Sequence, residues 1–196
     1  MKTIQYLFFV AVATLLMAAD CSNKDSEFYN DVFVASPNLV TLETTTTGLQ
    51  TVVTVNATIP RLLNVANQAN PIDLFKTTGG ATKMNCSYVV EKQDTEGNWD
   101  YIEVPLANLV ITKGECQTGS FISGSAVYNS TTTNYEYSVG FQSLTSGSYR
   151  LSFGFNNNTG TLVSFRSESV NNNLFLNLNT TAPLLDSGGF YPFTIN

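Results

Sequence analysis

The chain has 196 residues and no histidine. This removes His-based nucleophilic triads, His-liganded zinc and the commonest general base at neutral pH. Chemistry would have to come from cysteines, carboxylates or aromatic rings. Two of the three cysteines, Cys86 and Cys116, have no neighbouring base to activate them. In an oxidising compartment they allow one bridge, closing a loop of about thirty residues and worth roughly 3 kcal/mol. Cys86 lies in Met84-Asn85-Cys86-Ser87-Tyr88-Val89-Val90, where alternation turns it inward, so a buried free thiol is the other outcome. Paired-cysteine spacing is missing, so no metal site is expected. The carboxylates Asp94, Glu96, Asp100 and Glu103 crowd one hairpin. Two acids across a cleft suffice for glycoside hydrolysis, and Asp94, Glu96, Asn98 and Asp100 alternate as calcium ligands would. The full calcium-loop pattern is absent, and turn formation and solvation account for acids in such a place. A Gly-rich phosphate loop and a nucleophile elbow are also missing. No catalytic residue, cofactor or enzymatic activity is therefore expected. The aromatic pair Trp99 and Tyr101 is more informative. If Ile102 and Val104 face the core, Trp99 and Tyr101 lie on the opposite, wetter face of the same strand. Flat rings placed so can stack on sugars; covering a sheet edge is the plainer role.

The third cysteine sits in a different setting. Lys2 and the apolar run from Leu7 to Ala19 predict a signal peptide over residues 1–20, too short to span a bilayer. Ala18-Ala19-Asp20-Cys21 resembles a lipobox, the motif at which bacteria lipidate a cysteine and cleave before it; Asp20 stands where Gly, Ala or Ser is usual. The resemblance implies that Cys21 is the lipidation site and that 21–30 is a polar tether, beginning Ser22-Asn23-Lys24-Asp25. Leader cleavage without lipid, giving a periplasmic or secreted protein, is the alternative.

The elements that must carry these residues are strands. Val53, Val55, Ala57 and Ile59 share one face; so do Tyr135, Tyr137, Val139 and Phe141, and again Tyr149, Leu151, Phe153 and Phe155. Polar residues alternate with them, which predicts antiparallel sheets wetted on one side. Gly79-Gly80, Glu96-Gly97-Asn98, Ser146-Gly147, Asn156 to Gly160 and Asn171 to Asn173 punctuate the runs. Ten to twelve short strands are expected. One short helix is expected at Asn70-Pro71-Ile72-Asp73-Leu74-Phe75-Lys76 in a long loop, with Asn70 as cap, Pro71 in the first turn and Leu74 and Phe75 plugging one end of the fold. Leu144-Thr145-Ser146-Gly147-Ser148-Tyr149 resembles the corner of immunoglobulin-like domains, where a Tyr hydroxyl closes back on nearby backbone. The fold class is all-β: an antiparallel immunoglobulin-like β-sandwich, with 31–196 as a single domain.

Charged residues make up 12% of the chain, about half the usual share, so Ser, Thr and Asn must wet the surface. A net charge of −6 argues against nucleic-acid binding. The blocks Asp31-Val32-Phe33-Val34, Asn38-Leu39-Val40, Asp73 to Gly79 and Asn98-Trp99-Asp100-Tyr101 resemble uncharacterised Bacteroidetes-type lipoproteins. That resemblance implies a cell-envelope β-sandwich, anchored by lipid at the outer membrane or cell surface, and carries no catalytic residues. The expected role is a non-enzymatic binding or structural module whose partner is an envelope protein or a glycan. The alternatives are a carbohydrate-binding module using Trp99 and Tyr101, or a fimbrial or adhesin subunit using the C-terminal segment Phe190 to Ile195, in which Pro192 disfavours a central strand.

Overall fold

A computed structural model describes residues 29–35, 39–47, 50–142, 144–153, 162–168, 173–179, 186 and 188–195. The leader over 1–20, Cys21, nearly all of the tether and the turn at Asn156 to Gly160 lie outside the described residues. The fold is all-β, as the alternation predicts.

One layer is built from β2 (Val40–Thr47), β3 (Gln50–Pro60), β11 (Asn134–Phe141) and β8 (Leu109–Lys113), in that order and antiparallel throughout. The inward positions of β3 and β11 are those read from the sequence: Val53, Val55, Ala57, Ile59, Tyr135, Tyr137, Val139 and Phe141 are all buried. The second layer centres on β6 (Lys83–Gln93). Its first half pairs with β10 (Ile122–Asn129) on one side and β13 (Leu162–Ser167) on the other. Its second half pairs with β7 (Trp99–Tyr101) and β12 (Gly147–Ser152), and β15 (Tyr191–Ile195) closes that end by pairing with β12. Beyond β13 come β14 (Asn173–Asn179) and the parallel strand β1 (Tyr29–Ala35).

The layers face each other across one core. Tyr88 of β6 meets Tyr137 of β11 hydroxyl to hydroxyl at 2.6 Å and meets the Phe141 ring edge-on. At the far end the Tyr191 hydroxyl of β15 lies 2.7 Å from Thr44 of β2. Connectivity requires this closure. β1 and β2 end the strand path at opposite edges, yet four residues separate Ala35 from Val40, a reach of roughly 18 Å. A flat sheet of eight strands, spaced about 4.8 Å apart, is far too wide for that link. Burial of Leu174, Leu176 and Leu178 on β14 against this core contributes roughly 1.5–3 kcal/mol each.

The layers also join covalently at a fork. β10 and β11 pair only from Val127 to Asn129 against Asn134 to Glu136. They then part, and the chain of β8 and β9 (Glu115–Gln117) enters between them, β8 on β11 and β9 on β10. Gly114 makes the corner with φ of 76°. A Cβ there would lie 2.5 Å from the Ser125 carbonyl and 3.0 Å from that of Glu136, so only glycine fits the crotch.

Fifteen strands stand among the described residues, more than the ten to twelve expected. The excess comes from pieces of two or three residues, such as β4 (Leu62–Leu63) and β5 (Ile72–Asp73), too short to show a period. The helix, α1 (Leu74–Thr77), is shorter than read. Asp73, not Asn70, is its cap, accepting from the Lys76 N–H at 3.0 Å. Asp73 also takes a bidentate pair from Arg61 at 2.8 and 2.7 Å. That partner, first, and the cap hold its carboxyl down at about 2. A cap that is also an ion-pair partner outcompetes Asn70, whose side chain is exposed. Leu74 is buried and Phe75 packs on Tyr128, as the plug requires. The corner before β12 is present: the Tyr149 hydroxyl donates to the Thr145 carbonyl at 2.6 Å.

Candidate functional site

The outer face of β7, β6, β12 and β15 gathers aromatic and charged side chains in contact with one another. Two aspartate turns build it. Asp94 accepts from the N–H groups of Glu96 and Asn98 at 2.8 Å each and from the Asn98 amide at 3.1 Å; these bonds, the Asn98 side chain first, hold its carboxyl below the ordinary value. Gly97 completes the turn with φ of 90°, and the chain returns as β7 with Trp99 beside Gln93. On the opposite flank Asp186 accepts from the N–H groups of Gly188 and Phe190 at 2.8 and 3.0 Å, and Phe190 leads into β15. Each turn therefore delivers one ring to the same place.

Arg150 of β12 stands between them. Its guanidinium carbon lies 4.5 Å from the Trp99 ring centre and 3.8 Å from that of Phe190. Register places Arg150 beside Glu91, and the two form an ion pair through Nε and Oε2. Glu91 is 5% exposed although it points away from the core. The four side chains thus shield one another. Tyr101, across from Glu91 on β7, is different: at 66% exposure it is the most open large hydrophobic side chain among the described residues.

The residues singled out in the sequence fall as follows. Trp99 and Tyr101 share the outward face, and Val104 is buried behind them, as alternation requires. Their surroundings differ: Trp99 has a guanidinium against its ring, whereas Tyr101 stands clear. Cys86 and Cys116 are both free thiols, which decides between the two outcomes left open above. Both sit directly opposite Gly124, on either side of β10. Two strand spacings separate their Cα atoms by about 9–10 Å, beyond the roughly 7 Å a disulfide tolerates. The Tyr137 ring fills the space over Gly124, where a Cβ would lie 2.7 Å from it, and its hydroxyl donates to the Cys116 sulfur at 3.6 Å. Burial pushes the Cys86 thiol up to about 12 and raises Cys116 as well, so neither is a thiolate nucleophile at neutral pH. The acidic hairpin does not assemble a cleft: Asp94 serves its turn, and Glu96, Asp100 and Glu103 are exposed. No grouping of three metal-ligating side chains occurs among the described residues. Cys21 lies outside them.

Glu91 and Arg150 escape sequence reasoning as site residues, and Phe190 enters it only as the start of the C-terminal segment. Alternation marks Glu91 and Arg150 as outward, but their pairing depends on the register of β6 against β12, two strands 59 residues apart. Comparison with known proteins found no matching family model, no similar curated protein and no similar solved structure.

Proposed function

We propose that this chain is an exported, non-enzymatic module of the bacterial envelope, an immunoglobulin-like sandwich anchored by lipid on Cys21, which holds a partner through the outer face of β7, β6, β12 and β15. The observation that carries the reading is the grouping of Trp99, Tyr101, Arg150 and Phe190 on one wall. Trp, Tyr and Arg are the residue types that dominate binding energy at interfaces. A pre-ordered group also loses little side-chain entropy when a partner arrives. The absence of histidine and the protonated thiols support a role without covalent or acid–base chemistry. The tyrosine corner before β12 supports the immunoglobulin-like assignment. Lipid on Cys21 is supported by the lipobox-like residues before it and the polar segment after it.

Two measurements test this. Intact-mass analysis of the envelope-extracted protein should show acyl mass on a chain beginning at Cys21; an unacylated chain would remove the anchor. Cross-linking in intact cells should recover a partner that Tyr101→Ala weakens by about tenfold, the scale of one hot spot; equal recovery from Tyr101→Ala would remove the face. A second reading, glycan capture, draws on the exposed Tyr101 ring, a flat apolar surface open to a sugar face. It replaces the first if Tyr101→Ala abolishes binding on a glycan array while protein cross-links persist.

A further inference from the structure

The opposite wall of the molecule carries a second feature, independent of the face just described. Along the outer face of β2, β3, β11 and β8, register aligns Glu43, Thr54, Gly140 and Val110 in one row across four strands. Gly140 leaves a gap in the row. A Cβ there would lie 2.9 Å from a Val52 methyl and 3.3 Å from the Thr54 hydroxyl. The result is a trough of about 360 Å³, floored by Thr54 and Gly140 backbone and walled by Val52 and Val110 and by Asn56, Thr112 and Ser138, with Glu43 at one end.

The hydrogen-bonding groups in this trough are partly unused. Ser138 donates to the Asn56 side-chain oxygen at 2.7 Å, and the Asn56 NH₂ has no side-chain partner among the described residues. Thr112 donates to the Ser138 carbonyl at 3.2 Å, and its hydroxyl accepts from no side chain among the described residues. Neither the Glu43 carboxylate nor the Thr54 hydroxyl has a side-chain partner among the described residues. The lining holds one carboxylate and no base; Lys113, next along the chain from Thr112, is drawn to Glu136 at 3.3 Å. An anion would meet Glu43 unopposed. An aliphatic ligand would strip water from Asn56, Thr54 and Glu43 and return nothing. A ligand with adjacent hydroxyls and C–H patches satisfies every wall: it donates to Glu43 and Thr112, accepts from Asn56, and lays its C–H face on Val52 and Val110.

We propose that the trough over Gly140 binds a neutral saccharide, with Glu43 and Asn56 as its principal hydrogen-bonding residues. The test is titration of the full chain, ¹⁵N-labelled in detergent micelles, with cellotriose, maltotriose and chitotriose, and with a trigalacturonate as the charged control. At least one neutral sugar should shift the amide signals of Glu43, Thr54, Thr112 and Gly140, and trigalacturonate should not. Glu43→Gln and Asn56→Ala, both at surface positions away from the core, should each weaken binding by about tenfold, the loss of a hydrogen bond to one polar partner. Gly140→Ala should block the trough; if it misfolds, the two surface variants still decide. No shift with any neutral sugar at millimolar concentration would overturn the proposal. So would shifts confined to Trp99 and Tyr101, equal affinity in Glu43→Gln, or preference for the uronate.

Discussion

The two outer walls use polar side chains in opposite ways. On the wall of β6 and β12, Glu91 and Arg150 are turned outward yet bond to each other, and rings from two aspartate turns close over the pair. On the wall of β3 and β11, the Thr54 hydroxyl, the Asn56 NH₂ and the Thr112 lone pairs have no side-chain partner among the described residues. The first arrangement is ordered in advance, so a protein partner meets the open Tyr101 ring and the outer edges of a fixed group at little entropic cost. The second is held open by a glycine, and its groups gain more from a ligand than from their neighbours. The difference shows that side chains on an outward face can be fixed by one another before a partner arrives or left open to a small ligand, and that residue type alone does not say which. Among the described residues β7 pairs only with β6, so the same rings also brace it; β3 and β11 are flanked on both sides by other strands and need no brace.

The largest effect that would sharpen this contrast is expected from Arg150→Ala. It leaves the Glu91 carboxylate buried without its cation and strips both rings of their contact. A loss of about 3–5 kcal/mol follows from breaking a buried pair on one side only, read as a fall in Tm of roughly 6–20 °C. The double variant Glu91→Leu with Arg150→Met should recover most of it, because an apolar pair of similar volume replaces a buried ion pair at little cost. A small loss in the single variant would mean that the wall is not self-supporting.

A smaller effect is expected from Asp94→Ala, which removes the turn that brings Trp99 to Arg150. Because the folded state holds the Asp94 carboxyl below its ordinary 3.8, its contribution is complete above that value and is lost as pH falls through the lower folded one. Acid titration of the two proteins should therefore show the gap in stability present at neutral pH and closing below about pH 4. A gap unchanged down to pH 2 would show that the turn does not depend on the ionised carboxylate.

The smallest effect is expected in the trough. Glu43→Gln touches no protein partner among the described residues, so stability should stay within about 0.5 kcal/mol of the parent, while sugar affinity falls as set out above. A marked destabilisation would make Glu43 a structural residue and erase the distinction between the walls.

Much of the architecture is legible because period-two alternation is a local property. Tyr135, Tyr137, Val139 and Phe141 fall inward one after another, as do Val53 to Ile59, since a pleated strand with one dry face admits no other order. Tyr149 announces its corner because the bond it makes spans four residues. The helix cap is not legible from local propensity, because Asp73 gains from Arg61 across a turn, which propensity does not weigh. The cysteines could not be resolved from spacing, since whether they meet depends on β10 lying between them. Trp99 and Tyr101 share an outward face by alternation, but their different exposure comes from Arg150, a residue that reaches Trp99 through strand pairing.

What the chain by itself determined is therefore the strand class, the inward residues, the closure of Tyr149 on Thr145 and the absence of histidine, all consequences of residue type and of spacing within a few positions. The tertiary structure alone decided which outward residues are occupied and which are open. Two strands distant in sequence acquire a common surface only when their register is set, and register follows from the packing of the whole core rather than from either strand.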